Sequence, residues 1–480
     1  MPLPLPLPLP ALDALVATHG TPLQLYDEAA IDANARALIA TFSSRFPNFR
    51  QFFAVKALPN PAILRVLVDA GCGLDCSSTA ELHIAAALGV RGAAVTYTSN
   101  YTSAADLAVA AAAGVTVNLD DASLLPAFLA APRPAGAPPP LVSFRLNPGL
   151  GRTDSESPSN VLGGPGAKFG VPPDAIVGAY AAARAAGVTR FGMHMMTGSC
   201  VTFDDYWLET VGALLAAAAR VQAEAGVPAF EFLNIGGGLG IPYREGAPRV
   251  DTEALAGKLA AAWAAQAAAV GLRGPLPTLH MENGRYMTGP YGWLVARCEA
   301  VKEAFGARYY GLDASMANLM RPGMYGAYHA VSVPAREAPG AATVRANVVG
   351  TLCENNDWFA RDRELPAAAA RGDLFVIHDT GAHSHSMGFQ YNGKLRAPEL
   401  LLREQAQADG VGRVIDVVRR RETYDSLFGN TILPSDLAVR VPSAYRYKRA
   451  FAQWWGGGVV VVVGVAAAAI LAGFALAKKR

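Results

Sequence analysis

Gln51-Phe52-Phe53-Ala54-Val55-Lys56-Ala57-Leu58-Pro59 is a short apolar run of strand character that ends in one lysine and a turn. The unit recurs. Candidate strands fall at 51–56, 73–76, 94–98, 115–119, 141–146, 190–195, 230–235 and 278–282, with Ala-rich or amphipathic stretches between them. Eight strands alternating with helices over about 230 residues is the count and size of a (β/α)8 barrel, the α/β architecture whose active site lies at the carboxyl ends of its strands. Residues with chemical character fall at those ends: Lys56 at the first, Asp75 at the second, Arg145 and Asn147 at the fifth, His194 to Ser199 at the sixth, Asn234 to Gly238 at the seventh and Glu282 to Arg285 at the eighth. Lysine is seldom buried unpaired, so Lys56 is a candidate for imine chemistry with an aldehyde cofactor, against the plainer reading of a side chain reaching into water.

Outward from the repeat the character changes. After Arg285, runs such as 342–351 and 373–378 read as strands without intervening helices, which predicts a separate all-β domain over 286–445 after a barrel over 33–285. Within 11–32, Leu23-Gln24-Leu25-Tyr26 is one more strand, expected to join that domain. Residues 1–10 alternate Pro with Leu after Met1, lose backbone donors repeatedly, and are expected to be a disordered or polyproline leader rather than a targeting helix. The Gly-, Ser- and Pro-rich stretch 147–170 is long for a connection and predicts a loop over the site mouth.

The composition of 480 residues, 52% hydrophobic and 17% charged, supports a large core. A net charge of +2 without a basic block gives no reason to expect nucleic acid. Five scattered cysteines, Cys72, Cys76, Cys200, Cys298 and Cys353, complete no zinc set and point to a reducing compartment, cytoplasm or organelle stroma.

Three motifs carry chemistry. Phe230-Glu-Phe-Leu-Asn-Ile-Gly236-Gly237-Gly238-Leu-Gly240 runs a strand into glycines whose amides can approach a phosphate, although Ile241 breaks the dinucleotide pattern and no Gly-Lys-Ser/Thr follows. Glu282-Asn283-Gly284-Arg285 sets an acid and a guanidinium at a strand end; the plain alternative is an exposed salt bridge of little worth. Thr351-Leu-Cys353-Glu354-Asn-Asn-Asp357 follows a β run, and its flanking acids argue against a merely apolar cysteine. His383 and His385 stand two apart, but without a third ligand nearby no metal is expected.

Taken together, Ala54-Val-Lys56-Ala, Gly73-Leu-Asp75, Gly236 to Gly238, Glu282 to Arg285, Arg321-Pro-Gly-Met-Tyr325-Gly-Ala-Tyr328-His329, Cys353-Glu354 with Ala360 to Pro366, and Tyr391-Asn392 resemble the fold-type III pyridoxal-phosphate decarboxylases, and among them the diaminopimelate decarboxylases. The resemblance runs from about residue 20 to 440, with its motifs in order. It implies pyridoxal 5'-phosphate as cofactor and Lys56 as the Schiff-base lysine. Asp75, His194, Ser199, Gly236, Gly237, Gly238, Glu282, Asn283, Gly284, Arg285 and Tyr391 would bind the cofactor. Arg285, Arg321, Tyr325, Glu354 and Tyr391 would contact an amino-acid substrate, and Cys353 would donate a proton. In that family Cys353 and Glu354 reach the partner's site, which implies a homodimer.

The implied reaction is decarboxylation of meso-diaminopimelate to L-lysine, because Glu354 replaces the Asp of ornithine-type relatives. A polyamine-pathway decarboxylase is the nearer rival. A catalytically silent binding protein is the farther one, and the presence of both Lys56 and Cys353 argues against it. Two departures stand out. Asn283 occupies a usual proline position, a change expected to loosen the turn, and Met196 occupies that of a ring-stacking histidine, for which His194 is expected to compensate. Finally, residues 456–477 carry no charge and lie between Trp454-Trp455 and Lys478-Lys479-Arg480. At about 1.5 Å per residue such a helix matches a bilayer core, so this tail is a candidate transmembrane anchor.

Overall fold

The computed structural model describes residues 3–154, 157–407 and 410–432. After β1 (Leu23–Asp27), eight parallel strands close into a barrel in chain order: β2 (Arg50–Ala54), β3 (Gly73–Cys76), β4 (Val95–Ser99), β5 (Thr116–Leu119), β6 (Leu141–Leu146), β7 (Arg190–Met195), β8 (Phe232–Asn234) and β9 (Thr278–Met281). Each expected barrel strand is present, displaced at its ends by two residues at most. These strands are covered on both faces, so they read as continuous apolar runs; Phe53, Leu74, Phe144, Met193 and Leu233 are all fully buried.

Helices begin soon after the carboxyl ends of β2, β3 and β4 because side chains there cap them. Asn60, Ser78 and Ser103 accept from the amides of Ala62, Glu81 and Asp106 at 3.1, 3.3 and 3.1 Å. Each such cap contributes on the order of 1 kcal/mol. The connections on the site face of the barrel therefore stay short in this part of the chain. The loop after β6 is the exception. Asn147 Nδ2 donates to the carbonyls of Gly164 and Phe169 at 3.1 and 3.0 Å, while Leu162 N donates to Thr197 O at 2.9 Å. The loop is thereby laid onto the segment after β7.

The second unit contains β10 (Gly292–Ala304), β11 (Ala307–Leu312), β12 (Val331–Ser332), β13 (Thr343–Val349), β14 (Trp358–Pro366), β15 (Leu374–Ile377), β16 (Glu399–Gln407) and β17 (Gly410–Arg419). The sheet runs β14-β13-β11-β10-β1-β16-β17, with β15 pairing to β10 and β12. β1 lies antiparallel to β10 and parallel to β16. Its residues Leu23 and Leu25 share one core with Leu12, Trp293, Val376 and Leu400.

Of the two expectations for the leader, disorder does not hold for residues 3–10. Leu3, Leu5, Leu7 and Leu9 pack on that same core, and a helix Leu9–His19 follows. Proline at every second position forbids a helix through 2–8 but permits an extended run, and an extended run turns alternate side chains to one face. The leucines are half-buried on that core, while Pro4, Pro8 and Pro10 are exposed. Among the described residues no helix is long and apolar enough to cross a membrane. The tail at 456–477 lies outside the described residues, as does the expected β domain beyond 432.

Candidate active site

β2 pairs with β3 on one side and β9 on the other, so the lysine just beyond β2 stands between the carboxylates ending its two neighbours. Lys56 lies on a single 3-10 turn, Val55–Ala57, with its side chain 54% exposed and its Nζ 3.8 Å from Asp75 Oδ2. Gly284 packs on this turn, since a Cβ there would stand 2.8 Å from that of Ala57.

Asp75 is buried; its Oδ1 accepts from Thr96 Oγ1 at 3.0 Å, and its Oδ2 has no hydrogen-bond partner among the described residues. Burial, with the charge of Glu282, pushes its carboxyl up to about 8, against the opposing pull of Lys56. Glu282 is the reverse case. Burial alone would raise it, but His194 above all, with Lys56 and Asn234, holds it below the usual carboxylate range. His194, fully buried on β7, donates from Nε2 to Glu282 Oε2 at 3.0 Å, and Asn234 Nδ2 donates to Oε1 at 2.6 Å. Two neighbouring carboxylates are thus driven apart, one keeping its proton and one its charge, which is how a site divides acid and base roles.

Gly236 and Gly238 have φ of 73° and 113°, in the left-handed region. A Cβ on Gly236, Gly237 or Gly238 would meet the carbonyl oxygens of Met195, Glu282 and Gly198 at 2.5, 2.3 and 2.5 Å. Only glycine fits this crease. Met196 does not stand free above the site, because its Sδ accepts from Gly237 N at 3.2 Å. Nor does Asn283 loosen the turn as expected. Its amide donates to Gln51 Oε1 at 3.0 Å and accepts from Leu239 N at 3.3 Å, tying β2 to the glycine loop.

Arg285, buried at the start of the helix Arg285–Thr288, donates to Tyr243 Oη at 2.7 Å and to Ser199 Oγ at 3.3 Å. Arg321, buried on the short helix Arg321–Tyr325, lies over the same Tyr243 ring at 4.6 Å and donates to His329 Nε2 at 2.7 Å. Burial and the Arg285 charge lower Arg321 to about 10. Tyr325 is close enough to both guanidiniums to act on them electrostatically. Tyr243, which joins these two arginines, was not singled out from the sequence; its one signal is its position five residues after the third glycine.

Lys56, Asp75, His194, Ser199, the glycines, Glu282, Arg285 and Arg321 thus converge. Cys353, Glu354 and Tyr391 form a second, exposed group. Cys353 N donates to Asn392 Oδ1 at 2.7 Å, Tyr391 Oη to Cys353 O at 3.5 Å, and Asn356 N to Glu354 Oε1 at 3.0 Å. Among the described residues no hydrogen bond or ion pair joins this group to Lys56. His385 faces Arg396 and Glu399, and the peptide of His383 donates to Ala57 O at 2.9 Å.

Comparison with known proteins agrees with this geometry. The family model described as pyridoxal-dependent decarboxylase, pyridoxal binding domain, matches residues 33–289. Protein TabA of Pseudomonas amygdali pv. tabaci is 42% identical over 419 residues, covering 87% of this chain and 93% of its own. The diaminopimelate decarboxylase of Methanothermobacter thermautotrophicus is 35% identical over 426 residues, covering 89% of this chain and 95% of its own. The structure of diaminopimelate decarboxylase from Helicobacter pylori complexed with L-lysine superposes with a TM-score of 0.75 at 26% identity, over 87% of this chain and 98% of that one. The chain belongs to the pyridoxal-dependent decarboxylases, enzymes that use pyridoxal phosphate to decarboxylate amino acids.

Proposed function

We propose, from that membership, that this enzyme converts meso-diaminopimelate to L-lysine and carbon dioxide, working as a homodimer. The residues present fit the cofactor. Asp75 Oδ2, His194 Nδ1 and Arg285 Nε are buried polar atoms without hydrogen-bond partners among the described residues, and the crease at Gly236 to Gly238 is backbone without side chains, packed so closely that no Cβ is accommodated. Lys56 would hold its aldehyde carbon, Gly236 to Gly238 with Ser199 and Arg285 its phosphate, and Glu282 its ring nitrogen. Bound there, pyridoxal phosphate supplies an electron sink for the bonding pair that carbon dioxide leaves behind.

The chain's own part is charge and orientation. His194 and Asn234 keep Glu282 ionised, so that it faces a ring nitrogen as an anion. Arg321, the second buried guanidinium beside Tyr243, is placed for a carboxylate, and fixing one end of an amino acid orients the bond to be broken at the other. The Cys353 thiol gives its proton to the carbon that lost carbon dioxide and recovers one from water. Glu354 then answers the distal ammonium. Both lie exposed on the β unit, and among the described residues neither is bonded to its own chain's Lys56, which is consistent with their serving the partner's barrel.

The observation that carries the substrate assignment is the pair of buried guanidiniums, Arg285 on the hydroxyl of Tyr243 and Arg321 over its ring. One answers a phosphate. The other is left for a carboxylate that ornithine and arginine lack at their distal ends. Purified enzyme offered meso-diaminopimelate, ornithine and arginine side by side should release carbon dioxide fastest from the first and form lysine. Faster release from ornithine or arginine, or no lysine, would overturn the assignment.

A further inference from the structure

Among the described residues no carboxylate lies within ion-pair distance of Arg321; its Nη1 rests on an imidazole. The partners along that line fix every proton. The carbonyl of His378 can only accept, so His329 carries its hydrogen on Nδ1, 2.8 Å from that oxygen, and presents Nε2 to Arg321 at 2.7 Å. The ring of His378 is pinned in the same way. Its Nδ1 donates to the carbonyl of Leu3 at 3.0 Å, and its Nε2 accepts from Ser332 Oγ at 2.7 Å. Burial, aided at His329 by the Arg321 charge, lowers both imidazoles and keeps them neutral, as this pattern needs.

Leu3 is itself held from several sides. Its carbonyl also accepts from Trp293 Nε1 at 3.3 Å, Arg413 donates to Pro6 O, and Leu3, Leu5 and Leu7 lie against the core that contains Leu12 and Trp293. The line of bonds therefore runs from the amino-terminal residues through two histidines to a guanidinium at the site. Each intermediate group is buried and has one tautomer, so the line transmits position rather than charge.

We propose that residues 3–8 form a strap that positions Arg321, with His378 and His329 as the positioning residues through which it acts. The proposal takes Arg321 as the substrate-binding guanidinium, on the reading given above. An extended segment with proline at every second residue suits the task, because its few accessible conformations leave little entropy to lose on docking.

The test uses the holoenzyme in three forms: the full chain, the chain lacking residues 2–8, and His378→Leu, which keeps the strap's leucines but removes the ring. Amide hydrogen exchange over residues 321–329 is read without substrate, and KM, kcat and the visible absorbance of bound cofactor are read with it. Both altered forms should exchange faster over 321–329 and show KM raised about tenfold, the loss expected of one charge-assisted hydrogen bond, with cofactor absorbance unchanged. His329→Leu, which removes the ring that bridges Arg321 and the carbonyl of residue 378, should raise KM in the same way, and His329→Gln, whose amide can still bridge them, should raise it much less. Unchanged exchange and KM in both forms would overturn the strap. So would a KM loss that comes only together with cofactor loss, since that is general unfolding. If the full chain fails to decarboxylate diaminopimelate, the substrate reading falls, while the exchange measurement still decides the strap.

Discussion

Asp75 and Glu282 flank Lys56 and share one pocket, yet they respond to pH in opposite senses. Asp75, raised to about 8 by burial and by Glu282, binds a proton in the folded chain that the unfolded chain has already released. Its contribution to stability is therefore complete below the ordinary carboxylate range, near pH 4, and is lost as pH rises through about 8. Glu282, depressed chiefly by His194 against its burial, contributes above its unfolded value and loses that contribution only in acid. Melting of the apoenzyme should show this. Asp75→Asn should flatten the fall in wild-type stability between about pH 5 and pH 8, and parallel curves would remove Asp75 as the cause. Lys56→Ala should abolish the visible absorbance of bound cofactor, because among the described residues no second lysine pairs with Asp75; an unaltered spectrum would dismiss Lys56. Glu354→Asp should lower kcat/KM for diaminopimelate about tenfold or more while cofactor affinity holds, since the shortened carboxylate withdraws from the distal ammonium. Residues announced by local pattern were legible in this way: a lysine ending an apolar run, an acid and arginine ending another. Tyr243 and the role of His329 were not, because their meaning comes from partners distant in the chain.

The elements were most legible where burial is two-sided. Each barrel strand is a short apolar run with turn residues after it, and no other period competes. For the leader, the alternative of disorder weighed its proline content and not its leucine spacing: Pro at every second position excludes a helix, but the same spacing sets Leu3, Leu5, Leu7 and Leu9 against the core of Trp293 and Leu12. The glycine crease after β8 makes the sharpest element-scale prediction. At Gly238 a methyl would stand 2.5 Å from the Gly198 carbonyl in a backbone conformation that alanine avoids. Gly238→Ala should cost tenfold or more in pyridoxal-phosphate affinity, about 1.4 kcal/mol, measured by absorbance titration. Retained affinity would show that the phosphate sits elsewhere.

For the whole molecule, the proposed homodimer makes the exposed Cys353 group and the Lys56 group halves of one site supplied by two chains. Mixing Lys56→Ala with Cys353→Ala subunits after dissociation should then restore about a quarter of wild-type activity, because half of randomly paired dimers are mixed and each has one intact site of two. No recovery would place both groups in one chain's site. This proposed arrangement rests on family resemblance alone; nothing in the spacing of residues 353 and 354 says which barrel they serve. One feature of the sheet reaches further, into synthesis. β1 is made first but lies between β10 and β16, and the entire barrel separates it from both. On the ribosome it waits as an unpaired strand while the barrel emerges and closes, and the second unit can be zipped together only when residues near 402 have left the tunnel. A carboxyl-terminal fragment alone therefore has a slot where its middle strand belongs, with two raw edges facing it. Supplied in trans, a peptide spanning residues 3–27 is the natural piece to fill that slot.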